Sequence, residues 1–188
     1  MVRNTEHRSG RCRNRWSLAI WGAAALLMLL PAVAMQLTRE VDWTVGDFIF
    51  MGVMLSATCG TYELVTRMTR NTAYRAAVGI AIVTALLTIV VNGAVGMLGS
   101  EDNPDNLLFG GVLAVALIGA VVARFRPRGM ALAMGAAALA QAAMAVYALV
   151  GGYAEVVLHV GLFVIPWLLS AWLFRKAARQ RAVVGRTS

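Results

Sequence analysis

Apolar residues run along this chain in six long blocks, at about 17–37, 45–63, 76–98, 107–123, 130–150 and 156–174. Charge is nearly absent within each block. The short breaks between blocks hold the arginines, carboxylates and most of the asparagines. The apolar runs are continuous rather than alternating, so they predict helices and not the strands of a barrel. Each is long enough to cross a hydrocarbon core of about 30 Å at roughly 1.5 Å per residue. Lipid supplies no partner for exposed backbone, which leaves helices as the spanning structure that fits this pattern. The expectation is an all-α polytopic transmembrane bundle: a basic N-tail over 1–16, the bundle over 17–174 and a basic C-tail over 175–188.

Composition agrees with the pattern: 60% of residues are hydrophobic and 14% charged. A water-soluble domain of 188 residues could not cover that much apolar surface. The formal net charge of +8 would suggest nucleic acid in a soluble chain, but its distribution excludes that reading. Arginine supplies 16 of the 17 basic residues, and all but Arg39 fall with Lys176 in four clusters: Arg3–Arg15, Arg67–Arg75, Arg124–Arg128 and Arg175–Arg186. Seven of the nine acids lie toward the opposite side, at Glu40, Asp42, Asp47, Glu101, Asp102, Asp105 and Glu155. By the positive-inside rule both termini and the arginine-rich loops face the cytoplasm, against anionic headgroups.

The first block has a second reading. Arginines followed by an apolar run and an Ala32-x-Ala34 pattern resemble a signal peptide, whose removal would leave five spans. The run from Ser17 to Met35 is also long enough to span, and a retained first helix is the expectation. Cys12 and Cys59 show no paired spacing and are both placed on a reducing side, so no disulfide is expected.

Candidate chemistry is sparse. Thr84, Thr88 and Asn92 recur every four residues and share one helix face. With Gln141, near the middle of the fifth block, they form a candidate polar path. The same residues also suit a packing seam, in which threonine bonds its own helix and the amides bond neighbours. Ala131, Gly135, Ala138, Ala142 and Ala145 give the fifth block a small-residue face, and Gly119 with Ala123 a shorter one in the fourth. Such faces let helices approach closely, within one chain, in a homo-oligomer or against a membrane partner.

Asp47, Glu101, Asp102, Asp105, Glu155 and His159 form a candidate outer-face proton or cation site. Each has a plainer reading. Asp47 can cap its helix, Glu155 and His159 can form a pair at a solvated helix end, and the acids of SEDNPD (residues 100–105) suit a turn, with Asp105 or Asn106 capping the fourth span. One histidine with one carboxylate is not a zinc site, and His7 and His159 are too far apart along the topology to share a haem. On the opposite side, Tyr62, Glu63, Arg67, Arg70, Tyr74 and Arg75 are a candidate lipid or partner site, with Asn71 or Thr72 capping the next helix. The chain holds no GxSxG elbow, HExxH, P-loop or dinucleotide fingerprint, so no enzyme, cofactor or metal is expected.

VAMQ at 33–36, YEL at 62–64, NTAYRAAVG at 71–79 and GSEDNP at 99–104 resemble a family of small uncharacterised bacterial inner-membrane proteins. The resemblance spans roughly residues 30–174 and implies a multi-pass protein of the bacterial cytoplasmic membrane. It brings no catalytic residue with it. The function expected from the residues is non-enzymatic, a packing or interaction role through small-residue faces. The alternative is a transport component, either a small-solute or ion carrier or a substrate-binding subunit, with its path near Thr84, Thr88, Asn92 and Gln141.

Overall fold

A computed structural model describes residues 6–38, 42–100 and 102–184, with side chains described from Ser17 to Val183 within those limits. The described residues are helical with short connections and contain no strand. The helices are α1 (Glu6–Leu37), α2 (Val45–Met68), α3 (Thr72–Ala94), α4 (Leu108–Val122), α5 (Pro127–Val150), α6 (Val157–Leu162) and α7 (Val164–Val184). Single 3-10 turns precede α4 at Pro104–Leu107 and α6 at Ala154–Val156. Six stretches are long and apolar enough to cross a membrane: Ser17–Leu37, Val45–Met68, Thr72–Ala94, Pro104–Val122, Pro127–Val150 and Ala154–Val183. The chain divides into two compact units, 1–64 and 65–188.

In the first unit α1 continues through Pro31, and α2 starts on a reciprocal cap. Asp47 Oδ2 accepts from the Thr44 N–H and hydroxyl, each at 2.8 Å, while the Asp47 N–H donates to Thr44 Oγ1 at 3.3 Å. A capping box of this kind satisfies donors that the first helical turn leaves open. Further along, Trp21 Nε1 donates to Glu63 Oε2 at 3.1 Å.

The second unit is organised around α5, which packs against α4, α6 and α7, while α3 packs mainly against α7. Small residues make this possible. Ala133, Ala137, Ala138 and Ala148 are buried on α5, facing a core that includes Phe109, Trp167 and Phe174. At Gly119 the approach of α4 is so close that an added Cβ would stand 2.7 Å from Ala133 Cβ, and at Gly129 it would stand 2.6 Å from Ala123 Cβ. Dispersion across such contacts drives helix association where lipid removes any hydrophobic advantage.

Several boundaries differ from those expected, each for a local reason. The third span ends at Ala94 rather than near 98. Gly96 turns left-handed with φ of 68°, and residues 97–98 fold back into the core. Pro127 occupies the first position of α5, where its missing N–H costs nothing, so that helix begins before 130. The last span is interrupted at Phe163. Pro166 cannot donate to the Leu162 carbonyl and crowds it, which opens the helix there. Beyond 174, α7 continues to Val184 and still buries Ala177.

Candidate functional site

The polar stripe on α3 begins with two threonines that bond their own helix. Thr84 Oγ1 donates to the Ile80 carbonyl at 2.7 Å, and Thr88 Oγ1 donates to the Thr84 carbonyl at 2.9 Å. Both are buried. Such back-bonding satisfies a hydroxyl in an apolar setting without a partner on another helix. Ser170 on α7 reaches further, donating to the Ala77 carbonyl of α3 at 2.9 Å.

Asn92 belongs to a different structure, the loop that closes this end of the second unit. Its Nδ2 donates to the Asn106 carbonyl at 3.1 Å, and its Oδ1 accepts from the Met97 N–H at 3.4 Å. Asn106 is buried; its Oδ1 accepts from the Leu98 N–H at 2.9 Å and its Nδ2 donates to the Ser100 carbonyl at 2.6 Å. Asn103 Nδ2 donates to the Leu98 carbonyl at 3.0 Å and to the Tyr153 hydroxyl oxygen at 3.1 Å. Three asparagines therefore serve backbone groups of a non-helical segment whose Met97 and Leu98 are buried. Buried irregular backbone needs such partners, because an unpaired buried N–H or carbonyl is costly. The fourth span is not capped by the expected Asp105 or Asn106: Asn103 caps its opening 3-10 turn by accepting from the Asp105 N–H, and α4 itself follows Leu107 with no side-chain cap.

Gln141 is fully buried on α5, and its Nε2 donates to the Val160 carbonyl at 3.0 Å, beside the break between α6 and α7. Its Oε1 and the Trp167 Nε1 are the buried side-chain polar atoms without a hydrogen bond among the described residues. The four residues of the proposed path are thus placed in three separate settings: back-bonded threonines, a loop keystone and a helix-break clamp.

The proposed outer-face acids are dispersed. Asp47 is engaged with Thr44 in the first unit. Asp105 Oδ2 accepts from the Tyr147 hydroxyl at 2.8 Å. Asp102, Glu155 and His159 are exposed, and Glu101 lies outside the described residues. No group of three His, Cys, Asp or Glu side chains with metal-binding geometry occurs among the described residues.

At the opposite end, Asn71 caps α3 by accepting from the Tyr74 N–H at 2.8 Å, as the sequence suggests, and its Nδ2 donates to Gln180 Oε1 at 2.9 Å. Tyr74 is buried, donates to the Phe125 carbonyl at 2.7 Å and meets Phe174 edge-on with centroids 5.1 Å apart. The Arg181 guanidinium lies 5.7 Å from its ring centroid. Tyr74 thereby ties the α4–α5 turn to α3 and α7. Arg67 and Arg70 are exposed and Arg75 is half-buried in the second unit, whereas Tyr62 and Glu63 are half-buried in the first.

Asn103, Asn106, Tyr147, Tyr153 and Ser170 are site residues that spacing alone did not single out as a group. The partners of Tyr147, Tyr153 and Ser170 are remote in sequence, and for Asn103 and Asn106 the one local signal was the density of asparagine around Pro104. No protein-family model matches the chain, and neither the curated proteins nor the solved structures contain a match to it.

Proposed function

We propose that this is a non-enzymatic multi-pass membrane protein whose role is carried by its outward surfaces. In this reading it lies in a bacterial cytoplasmic membrane with both termini and the arginine-rich loops on the cytoplasmic side. The supporting observation is how its span polar groups are used. The hydroxyls of Thr84, Thr88 and Ser170, and the amides of Gln141, Asn92 and Asn106, bond backbone groups of their own fold. Except for the Gln141 Oε1, which has no hydrogen bond, groups so engaged stabilise the bundle rather than coordinate a passing solute.

The small-residue faces divide accordingly. On the α5 face Ala131 and Ala138 are buried within the bundle while Gly135, Ala142 and Ala145 are half-buried, and on α4 Gly110 and Gly111 are exposed, with nothing within 4 Å of an added Cβ. A helix of another subunit or partner could approach there closely. Thiol cross-linking of Ala114→Cys in a Cys12→Ser, Cys59→Ala background tests this in native membranes. A discrete cross-linked species, lost when Gly111→Leu is added, is expected. A chain that stays monomeric under oxidation contradicts an interaction through this face.

A second reading, a transport component, rests on the two unpaired buried atoms, Gln141 Oε1 on α5 and Trp167 Nε1 on the α7 helix packed against it. Buried polar atoms without partners call for a reason, and a solute path would be one. Water access to position 141 separates the two readings.

A further inference from the structure

We propose that the cleft between the start of α5 and the end of α7 is a binding site for the phosphate-bearing headgroup of an anionic phospholipid. This goes beyond the proposed function and does not depend on it. The cleft is open, about 410 Å³ in volume, and lined by Arg128, Arg175 and Arg179 above Ala131, Leu132 and Ala178. Neither helix contains an aspartate or glutamate anywhere along its length. Three guanidiniums therefore converge from two helices without a carboxylate on either wall. Arg175 and Arg179 stand one turn apart on α7, an arrangement of like charges that destabilises a helix unless an anion sits near them.

The backbone adds to this. α5 begins without a side-chain cap, since Arg126 at that position makes no capping bond. The positive end of a 24-residue helix and the open N–H groups of its first turn lie at the same end as Arg128. Guanidinium forks match the oxygens of a phosphate in a way that an ammonium does not.

The cleft also has the depth profile of a lipid. Trp172 lies one turn before Arg175, with Lys176 Nζ 5.5 Å from its ring centroid, and tryptophan at a span end marks the headgroup level. Leu132, one turn into α5 from Arg128, is 71% exposed and offers an apolar wall where acyl chains would begin. A free phosphate would use the arginines but gain nothing from this wall.

Native mass spectrometry of the full chain from mixed micelles tests the assignment. The wild-type protein is expected to retain phosphatidylglycerol in preference to phosphatidylcholine. Arg175→Gln with Arg179→Gln is expected to reduce that preference by roughly tenfold or more. Arg13→Gln with Arg15→Gln removes the same charge from the N-tail and is expected to leave the preference intact. If the first double variant does not elute as a folded species, Arg128→Gln is read in the same assay. Equal loss in both double variants, or no loss in either, overturns the site. Displacement of phosphatidylglycerol by inorganic phosphate alone overturns the lipid assignment in favour of a free anion.

Discussion

Asn106 is the residue on which the closing loop depends most. Its buried amide holds the Leu98 N–H and the Ser100 carbonyl, two backbone groups that no helix serves. Leaving buried polar groups unpaired costs about 1–3 kcal/mol, so Asn106→Ala is expected to lower the thermal midpoint in detergent by several degrees. Asp102→Ala, at an exposed position in the same loop, is expected to change it little. Equal effects from the two substitutions would contradict the keystone role. Arg124 makes the opposite case. It adopts a left-handed conformation, φ of 49°, as the α4–α5 turn closes, and Phe125 follows at 56°. A side chain there costs on the order of 1 kcal/mol, which glycine avoids. Arg124→Gly is therefore expected to leave the thermal midpoint unchanged or raise it slightly, whereas a clear fall would mean that the guanidinium makes a contact of its own.

Element boundaries show what could be read in the sequence and what could not. The six spans and the Asn71 cap were legible, because both rest on local rules: apolar length, and a short polar side chain just before a helix. The early end of α3 was not, because it depends on Gly96 turning left-handed while Asn92 and Asn106 serve the returning backbone. Asn92 was visible as a polar residue in need of a partner, but the partner lies fourteen positions away. Helix pairing was also hidden. The spacing of alanines on α5 marks a small-residue face without saying that α4 comes to rest on Ala133 through Gly119. Gly119→Ala is expected to destabilise the pair by about 1–3 kcal/mol through overpacking, seen as a lower thermal midpoint. Gly135→Ala, which meets nothing within 4 Å, is expected to be tolerated. If both are equally tolerated, α4 and α5 are not in the contact described.

At the scale of the whole molecule, the second unit is bound at both ends by polar devices that serve its own fold. One end is closed by asparagines over a buried loop, the other by Tyr74 holding the α4–α5 turn against α3 and α7. The basic cleft joins Arg128 to Arg175 and Arg179, some fifty positions apart, which is why charge clustering along the chain announced a membrane surface but not a site. Between the ends, the central claim is that the polar residues of the spans are structural and dry. Single cysteines at positions 88 and 141, in a Cys12→Ser, Cys59→Ala background in native membranes, test it with a membrane-impermeant aqueous thiol reagent, alongside Asp102→Cys as an exposed control. The expected result is labelling at position 102 and none at 88 or 141 until the protein is denatured. Labelling of either buried position in the folded protein would bring water to the buried side of α3 or α5, contradict the structural reading and favour the transport reading in its stead.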